Sequence, residues 1–189
     1  YQLYPTVSAR IIISHVADGL NLARKYRLPR RIQDFISEHH GTMIARYQYA
    51  RAVQMAGGDE SKVDIEQFRY PGPKPRSRET AILMLADGCE ARVRAEMPKD
   101  EQTLRQVIKS VFDHRIAMGQ LDETPLTLRD LSELMDAFST ILRNVYHPRL
   151  IYPKLEEESE SAPATSQDQA SSEETPIPLE ITQPISKRL

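Results

Sequence analysis

Apolar residues recur at helical spacing through most of the first 146 positions, and nowhere do they alternate over a useful strand length. Val7, Ile11, His15 and Leu22 lie on or near one stripe, widened by Ile12, Val16, Leu20 and Ala23, until Pro29 breaks the run. Ile32, Phe35, Ile36 and His39 repeat the pattern in a second helix, which Gly41 is placed to end in a left-handed cap. Thr42 is then expected to cap a third helix from Met43 to about Met55, stopped by Gly57-Gly58. A fourth runs over 79–96, started by Ser77 or Thr80 and closed by Pro98, with Ile82, Leu83, Leu85, Ala86, Cys89 and Val93 as its apolar side. Two more cover about 101–119 and 127–146, the latter led by Thr127 and carrying Leu128, Leu131, Leu134, Phe138 and Leu142 on its apolar side. Pro148 and Pro153 are expected to end the ordered part. The pattern predicts an all-α domain without internal repeats.

The connection over 57–78 is long for a compact domain, and such loops are more often functional than decorative. Pro71, Pro73 and Pro75 forbid a helix there and stiffen the chain as an extended segment. Arg69, Lys74, Arg76 and Arg78 decorate it with cations, which suits an anionic substrate or, equally, a solvated loop.

Charge divides the chain. Residues 1–154 hold 23 Lys+Arg against 19 Asp+Glu, a net of +4, whereas 155–189 hold 2 against 8, a net of −6. The first segment is one domain. The second, rich in Glu, Ser, Gln, Pro and Ala, lacks the apolar surface to repay ordering and is expected to be a disordered acidic tail. A net of +4 is too weak to argue for nucleic-acid binding, which usually shows as a concentrated basic face, so no DNA or RNA polymer is expected as a partner. A single cysteine, Cys89, excludes an internal disulfide framework and reads as a buried small thiol. No run approaches the ~20 apolar residues of a membrane span. The opening Tyr1-Gln2-Leu3-Tyr4-Pro5, without a signal peptide, reads as a cut inside a longer protein.

Histidine is scarce, five in all, and three fall in the first forty positions. His15 lies within an apolar helix face, where a hydrogen-bonded core role competes with metal ligation. Asp18, three residues on, is placed to orient that imidazole, and Gly19 removes a side chain beside it. Neighbours on a helix diverge by about 100°, so His39 and His40 can aim at one ion only where the helix ends, as Gly41 implies. A capping histidine beside a solvated one is the competing reading. Asp87 follows Leu83-Met84-Leu85-Ala86, and a carboxylate in such company needs compensation, from a metal or from Arg92 or Arg94. Imidazoles mixed with a carboxylate lean toward Fe or Mn. His114 and His147 sit in polar surroundings and read as surface or structural.

Four strings occur in one order: Ile13-Ser14-His15-Val16-Ala17-Asp18-Gly19, Glu38-His39-His40-Gly41-Thr42, Phe68-Arg69-Tyr70-Pro71-Gly72-Pro73-Lys74-Pro75 and Met84-Leu85-Ala86-Asp87. Together they resemble the cytoplasmic HD domain of the seven-transmembrane HD phosphohydrolases, which hydrolyse cyclic di-AMP in bacteria. The similarity runs over roughly 3–153, and Leu121-Asp122-Glu123 and Tyr146-His147-Pro148-Arg149 fit the same family's later helices. The resemblance implies a helical HD bundle with a site for two divalent ions, Mn or Fe, whose activated water attacks a phosphodiester. It implies His15, His39 and His40 as ligands of one ion, Asp87 as a ligand of the other, and Lys74 with Arg69 against substrate phosphate. It also implies attachment, through an upstream segment, to the cytoplasmic face of the bacterial membrane, and is compatible with a homo-oligomer. The family's upstream His and its His-Asp dyad, whose Asp bridges both ions, have no counterpart here; the chain has no His-Asp dipeptide, and Asp113-His114 has the reverse order. The dyad is expected before Tyr1, and these residues alone are expected to bind metal weakly without turnover. Two other readings stand beside this one: an HD-type hydrolase of a nucleotide or phosphate ester, and a metal-free helical interaction module.

Overall fold

The structure, a computed structural model, describes residues 3–146. Six helices follow one another: α1 (Pro5–Lys25), α2 (Arg30–Glu38), α3 (Arg46–Met55), α4 (Arg78–Glu96), α5 (Glu101–Ala117) and α6 (Leu128–Tyr146). Short 3-10 turns at Glu60–Lys62 and Ile65–Phe68 interrupt the long connection. Among the described residues there is no strand, only an isolated antiparallel bridge between Ile44 and Arg69. None of the described helices is long and apolar enough to cross a membrane. The expected tail over 155–189, and the readings of His147, Pro148 and Pro153, lie outside the described residues.

Local chemistry sets the helix starts. Ser77 and Thr80 form a reciprocal capping box at the head of α4, with the Ser77 hydroxyl accepting from the Thr80 N–H. Asp100 caps α5 through the Thr103 N–H. Thr127 and Asp130 cap α6 in the same reciprocal way. At its C-terminus α4 stops at Met97, which adopts a left-handed conformation before Pro98.

Two apolar clusters hold the helices. One joins α4, α5 and α6 through Leu85, Cys89, Val93, Leu104, Val107, Ile108, Val111, Phe112 and Leu142, with Phe138 set edge-on to Phe112 at 5.9 Å. Each fully buried side chain of this size contributes about 1.5–3 kcal/mol. Burial pushes the Cys89 thiol up to about 12, so it is an inert apolar group, as its sequence context indicates. The second cluster packs Ala9 and Val16 of α1 against Met43, Ala45, Phe68 and Tyr70, fastening the first helix to the 43–45 and 68–70 segments.

The structure corrects three sequence expectations. The central stripe of α1 faces outward: Val7, Ile11 and Leu22 are 41%, 57% and 56% exposed, while Ala9, Val16 and Ala23 are buried. Close helix packing uses the small-residue edge, and periodicity alone could not distinguish the two edges. The third helix begins at Arg46, not Met43, because 43–45 is held by the loop: Tyr70 N–H donates to Met43 C=O and Ala45 N–H to Phe68 C=O. Thr42 consequently caps no helix. Leu128, expected on the apolar side of α6, is 85% exposed.

Candidate metal centre

α2 ends at Glu38, and His39 and His40 lead into a turn that Gly41 continues at φ +51°. Leaving the helix there lets two consecutive rings lie side by side, their centroids 4.0 Å apart. His15 meets both from α1, at 5.3 Å from the His39 ring and 5.0 Å from His40. One ligand atom from each imidazole can be chosen so that all three lie within 4.8 Å of one another.

The hydrogen bonds define what those atoms offer. His15 Nδ1 bonds to the Ile12 carbonyl, and His39 Nδ1 to the Ile36 carbonyl at 2.8 Å. A carbonyl only accepts, so each Nδ1 carries a proton, and in the neutral rings each Nε2 is left with a lone pair. The two Nε2 atoms face each other at 3.2 Å. Two bare lone pairs at that distance repel, whereas nitrogens bound about 2.1 Å from one ion stand roughly 3.0–3.4 Å apart. The donor set fits a metal ion. Asp18, expected to orient His15, instead accepts from the Ser14 hydroxyl at 3.1 Å. The helix carbonyl three residues back already holds Nδ1, and nothing remains there for Asp18 to do.

His40 is chemically distinct. Burial, then the neighbouring His39, His15 and Arg115, push it down to about 3, which keeps it neutral near pH 7. Tyr70 stacks on it with centroids 4.3 Å apart and an interplanar angle of 31°. Asp87 approaches from α4, its Oδ2 3.6 Å from His40 Nδ1. The carboxylate thus stands beside His40 and outside the three-imidazole cluster. Its side chain is 44% exposed despite its apolar sequence neighbours. Arg92 and Arg94 do not pair with it; they bond Glu96 and Glu90.

Three buried or half-buried groups clamp this turn, and their partners lie too far along the chain for sequence spacing to suggest them. Glu38, 5% exposed, accepts from the Arg76 N–H at 2.9 Å and the Thr80 hydroxyl at 2.6 Å, tying the end of α2 to the proline loop and the head of α4. Gln120, 1% exposed, accepts from Thr42 N–H and donates to Thr42 Oγ1, both at 2.9 Å. Gly41 leaves no room for a side chain: a Cβ would stand 2.3 Å from Gln120 Oε1 and 2.7 Å from Met84 Cε. The only advance signal for Glu38 was its place directly before the histidine pair.

The two loop cations differ. Arg69 binds the Glu66 carboxylate through Nε and Nη2 and donates to the Thr42 carbonyl at 3.1 Å. Lys74 has no carboxylate partner among the described residues, and its Nζ lies 3.4 Å from where a Cβ on Gly119 would be. The proline loop itself rests on the clamped turn, with Gly72 close against Thr42.

No family model matches the chain. It is 35% identical to the cyclic-di-AMP phosphodiesterase PgpH of Bacillus subtilis over 153 residues, 81% of this chain and 21% of that protein. The PgpH of Listeria monocytogenes is 31% identical over 154 residues, again 21% of its length. An uncharacterized Synechocystis protein is 40% identical over 151 residues, 19% of its length. The chain therefore spans about a fifth of the curated relatives it matches. Among solved structures, the Listeria PgpH HD domain in complex with cyclic-di-AMP superimposes with a TM-score of 0.71 at 31% identity, covering 79% of this chain and 68% of that one. Helical architecture and covered length agree with what the four sequence strings implied, and the chain belongs to the HD-domain family of the PgpH phosphodiesterases.

Proposed function

We propose that these residues form part of a metal-dependent phosphodiesterase site that hydrolyses cyclic di-AMP to a linear dinucleotide. The observation that carries the reading is the pair of Nε2 lone pairs facing at 3.2 Å, each fixed by a carbonyl behind its ring. In a family whose Listeria member is described in complex with cyclic-di-AMP, that donor set has an evident use.

His15, His39 and His40 would hold one divalent ion and Asp87 would serve a second, with Mn or Fe favoured by imidazole mixed with carboxylate. Ions there supply Lewis acidity toward a phosphodiester. The protein's own contribution is orientation. Carbonyls of Ile12 and Ile36 set the two rings, burial keeps His40 neutral, and Glu38 and Gln120 fix the turn that carries His39 and His40. Tyr70 covers one face of His40 and limits water there. Lys74, with no carboxylate partner among the described residues, would neutralise substrate phosphate. Arg69 would act mainly by holding the Thr42 carbonyl, since Glu66 already occupies its guanidinium. We place the protein at the cytoplasmic face of a bacterial membrane, attached through sequence upstream of this domain, in keeping with the family.

The test measures bound Mn and Fe and the chromatographic conversion of cyclic di-AMP by the full-length protein, with His39→Ala beside it. The wild type should carry metal and open the ring, and the variant should lose both. A metal-free wild type that leaves cyclic di-AMP intact in added Mn or Fe would sink the reading.

A further inference from the structure

Beside the His40–Asp87 end of the centre stands a cluster of cations that the metal ligands do not use. Arg46, the first residue of α3, donates from Nη1 to His114 Nε2 at 3.2 Å and has no carboxylate partner among the described residues. Next to His114 on α5, Arg115 runs its guanidinium over Gly88, where a Cβ would stand 2.9 Å from Nη2. Its Nε is buried with no hydrogen-bond partner among the described residues. Its charge is felt by both Asp87 and His40.

This arrangement is unusual within the molecule. Most arginines among the described residues engage a carboxylate, as Arg31 does with Glu79, Arg76 with Glu123, Arg78 with Asp130, Arg105 with Asp136 and Arg143 with Glu101. A guanidinium taken partly out of water needs an anion or a full set of acceptors, and among the described residues Arg115 has no carboxylate in ion-pair contact and leaves its Nε unbonded. Desolvation and the surrounding Arg46, Arg115 and Arg92 charges lower His114, so it serves Arg46 as a neutral acceptor that steadies the guanidinium without neutralising it. The first turn of α3 adds no acidic residue and no side-chain cap. Positive charge is therefore concentrated beside the site that the reading above assigns to an anionic substrate, with Asp87 the carboxylate that Arg115 feels there.

We infer that Arg46 and Arg115 form a second anion subsite, which takes the phosphate of the cyclic dinucleotide that is not being cut. The inference rests on the functional reading above and adds the residues that would select a substrate with two phosphates. Guanidinium groups recognise phosphate oxygens in pairs, and a charge-assisted bond of this kind changes affinity by about ten- to a hundredfold when removed.

The experiment measures equilibrium binding of cyclic di-AMP to the full-length protein at several salt concentrations. Arg46→Gln is the main variant, since Arg46 is exposed and its loss leaves the cores untouched; Arg46→Lys and Arg115→Lys accompany it. Arg129→Gln, an exposed α6 arginine paired with Glu133, controls for net charge. Arg46→Gln should weaken binding at least tenfold and flatten the salt dependence, Arg46→Lys should recover part of the loss, and Arg129→Gln should stay within twofold. Affinity that survives both Arg46→Gln and Arg115→Lys, or falls equally in Arg129→Gln, overturns the subsite while leaving the phosphodiesterase reading intact. A wild type that binds no cyclic di-AMP removes the functional reading, and the subsite with it.

Discussion

Replacing Gly41 by alanine should destabilise the protein far more than the same change at Gly57, and the difference isolates how tightly the histidine turn is held. Both residues sit at positive φ, +51° and +75°, a conformation that costs a residue with a Cβ about 1–2 kcal/mol. At Gly57 that is the whole effect, because nothing lies within 4 Å of the added carbon. At Gly41 the carbon would arrive 2.3 Å from Gln120 Oε1 and 2.7 Å from Met84 Cε. Both neighbours are 1% exposed and have nowhere to retreat. Overpacking of this kind costs about 1–3 kcal/mol. If Gln120 yields, the Thr42 N–H loses its acceptor, at about 1–3 kcal/mol more.

The expected totals are about 3–8 kcal/mol for Gly41→Ala and about 1–2 kcal/mol for Gly57→Ala. For a domain of this size each kcal/mol moves the melting temperature by roughly 2–4 °C. Paired denaturant and thermal melts of the two variants read the difference directly. Because His40 directly precedes Gly41, Mn affinity should fall in Gly41→Ala and hold in Gly57→Ala. Equal melting temperatures for the two variants would refute the clamp, and so would an unchanged Mn affinity in Gly41→Ala.

Glu38→Ala leaves the Arg76 N–H and the Thr80 hydroxyl without their buried acceptor, and should cost about 2–4 kcal/mol in a urea melt. His40 is held down to about 3 in the fold against an ordinary 6.5. Between those values the unfolded chain binds a proton that the folded chain does not, so its contribution is present above about pH 6.5 and lost as the pH falls. Metal-free stability should therefore decline on acidification through that window, and His40→Gln should flatten the decline. The 189 residues by themselves, with clustered imidazoles but no His-Asp dipeptide, should bind Mn weakly and leave cyclic di-AMP intact; metal-dependent turnover by this exact chain would contradict that expectation.

What the sequence conveyed well was local. The apolar period, the prolines and the caps at Ser77 and Thr127 located α4 and α6 almost to the residue, because capping and proline sterics act within one turn. What it could not convey was which edge of α1 would be buried, since Val7 and Ile11 are as apolar as Val16. Nor could it show that Thr42 answers to Gln120, 78 residues away, and not to the helix that follows it. Asp18 failed as an orienting group for a related reason. Spacing put it within reach of His15, but the Ile12 carbonyl was nearer and already bound.

The histidine pair shows how local and distant information combine. Adjacent residues of an intact helix diverge too far to share a target, so the sequence could point only to a helix end. A helix end alone leaves two mobile imidazoles whose ordering costs entropy when an ion binds. Glu38 on one side and Thr42 on the other remove that freedom beforehand: the first is fastened to Arg76 and Thr80, the second to Gln120. The clamps touch no ligand atom. Their substitution should therefore weaken metal binding while leaving the donor set unchanged, whereas His15→Ala removes a ligand outright. Restoring the geometry should separate the two cases: raising Mn concentration should recover occupancy in Glu38→Ala, but in His15→Ala it should yield a site with a different coordination sphere by electron paramagnetic resonance.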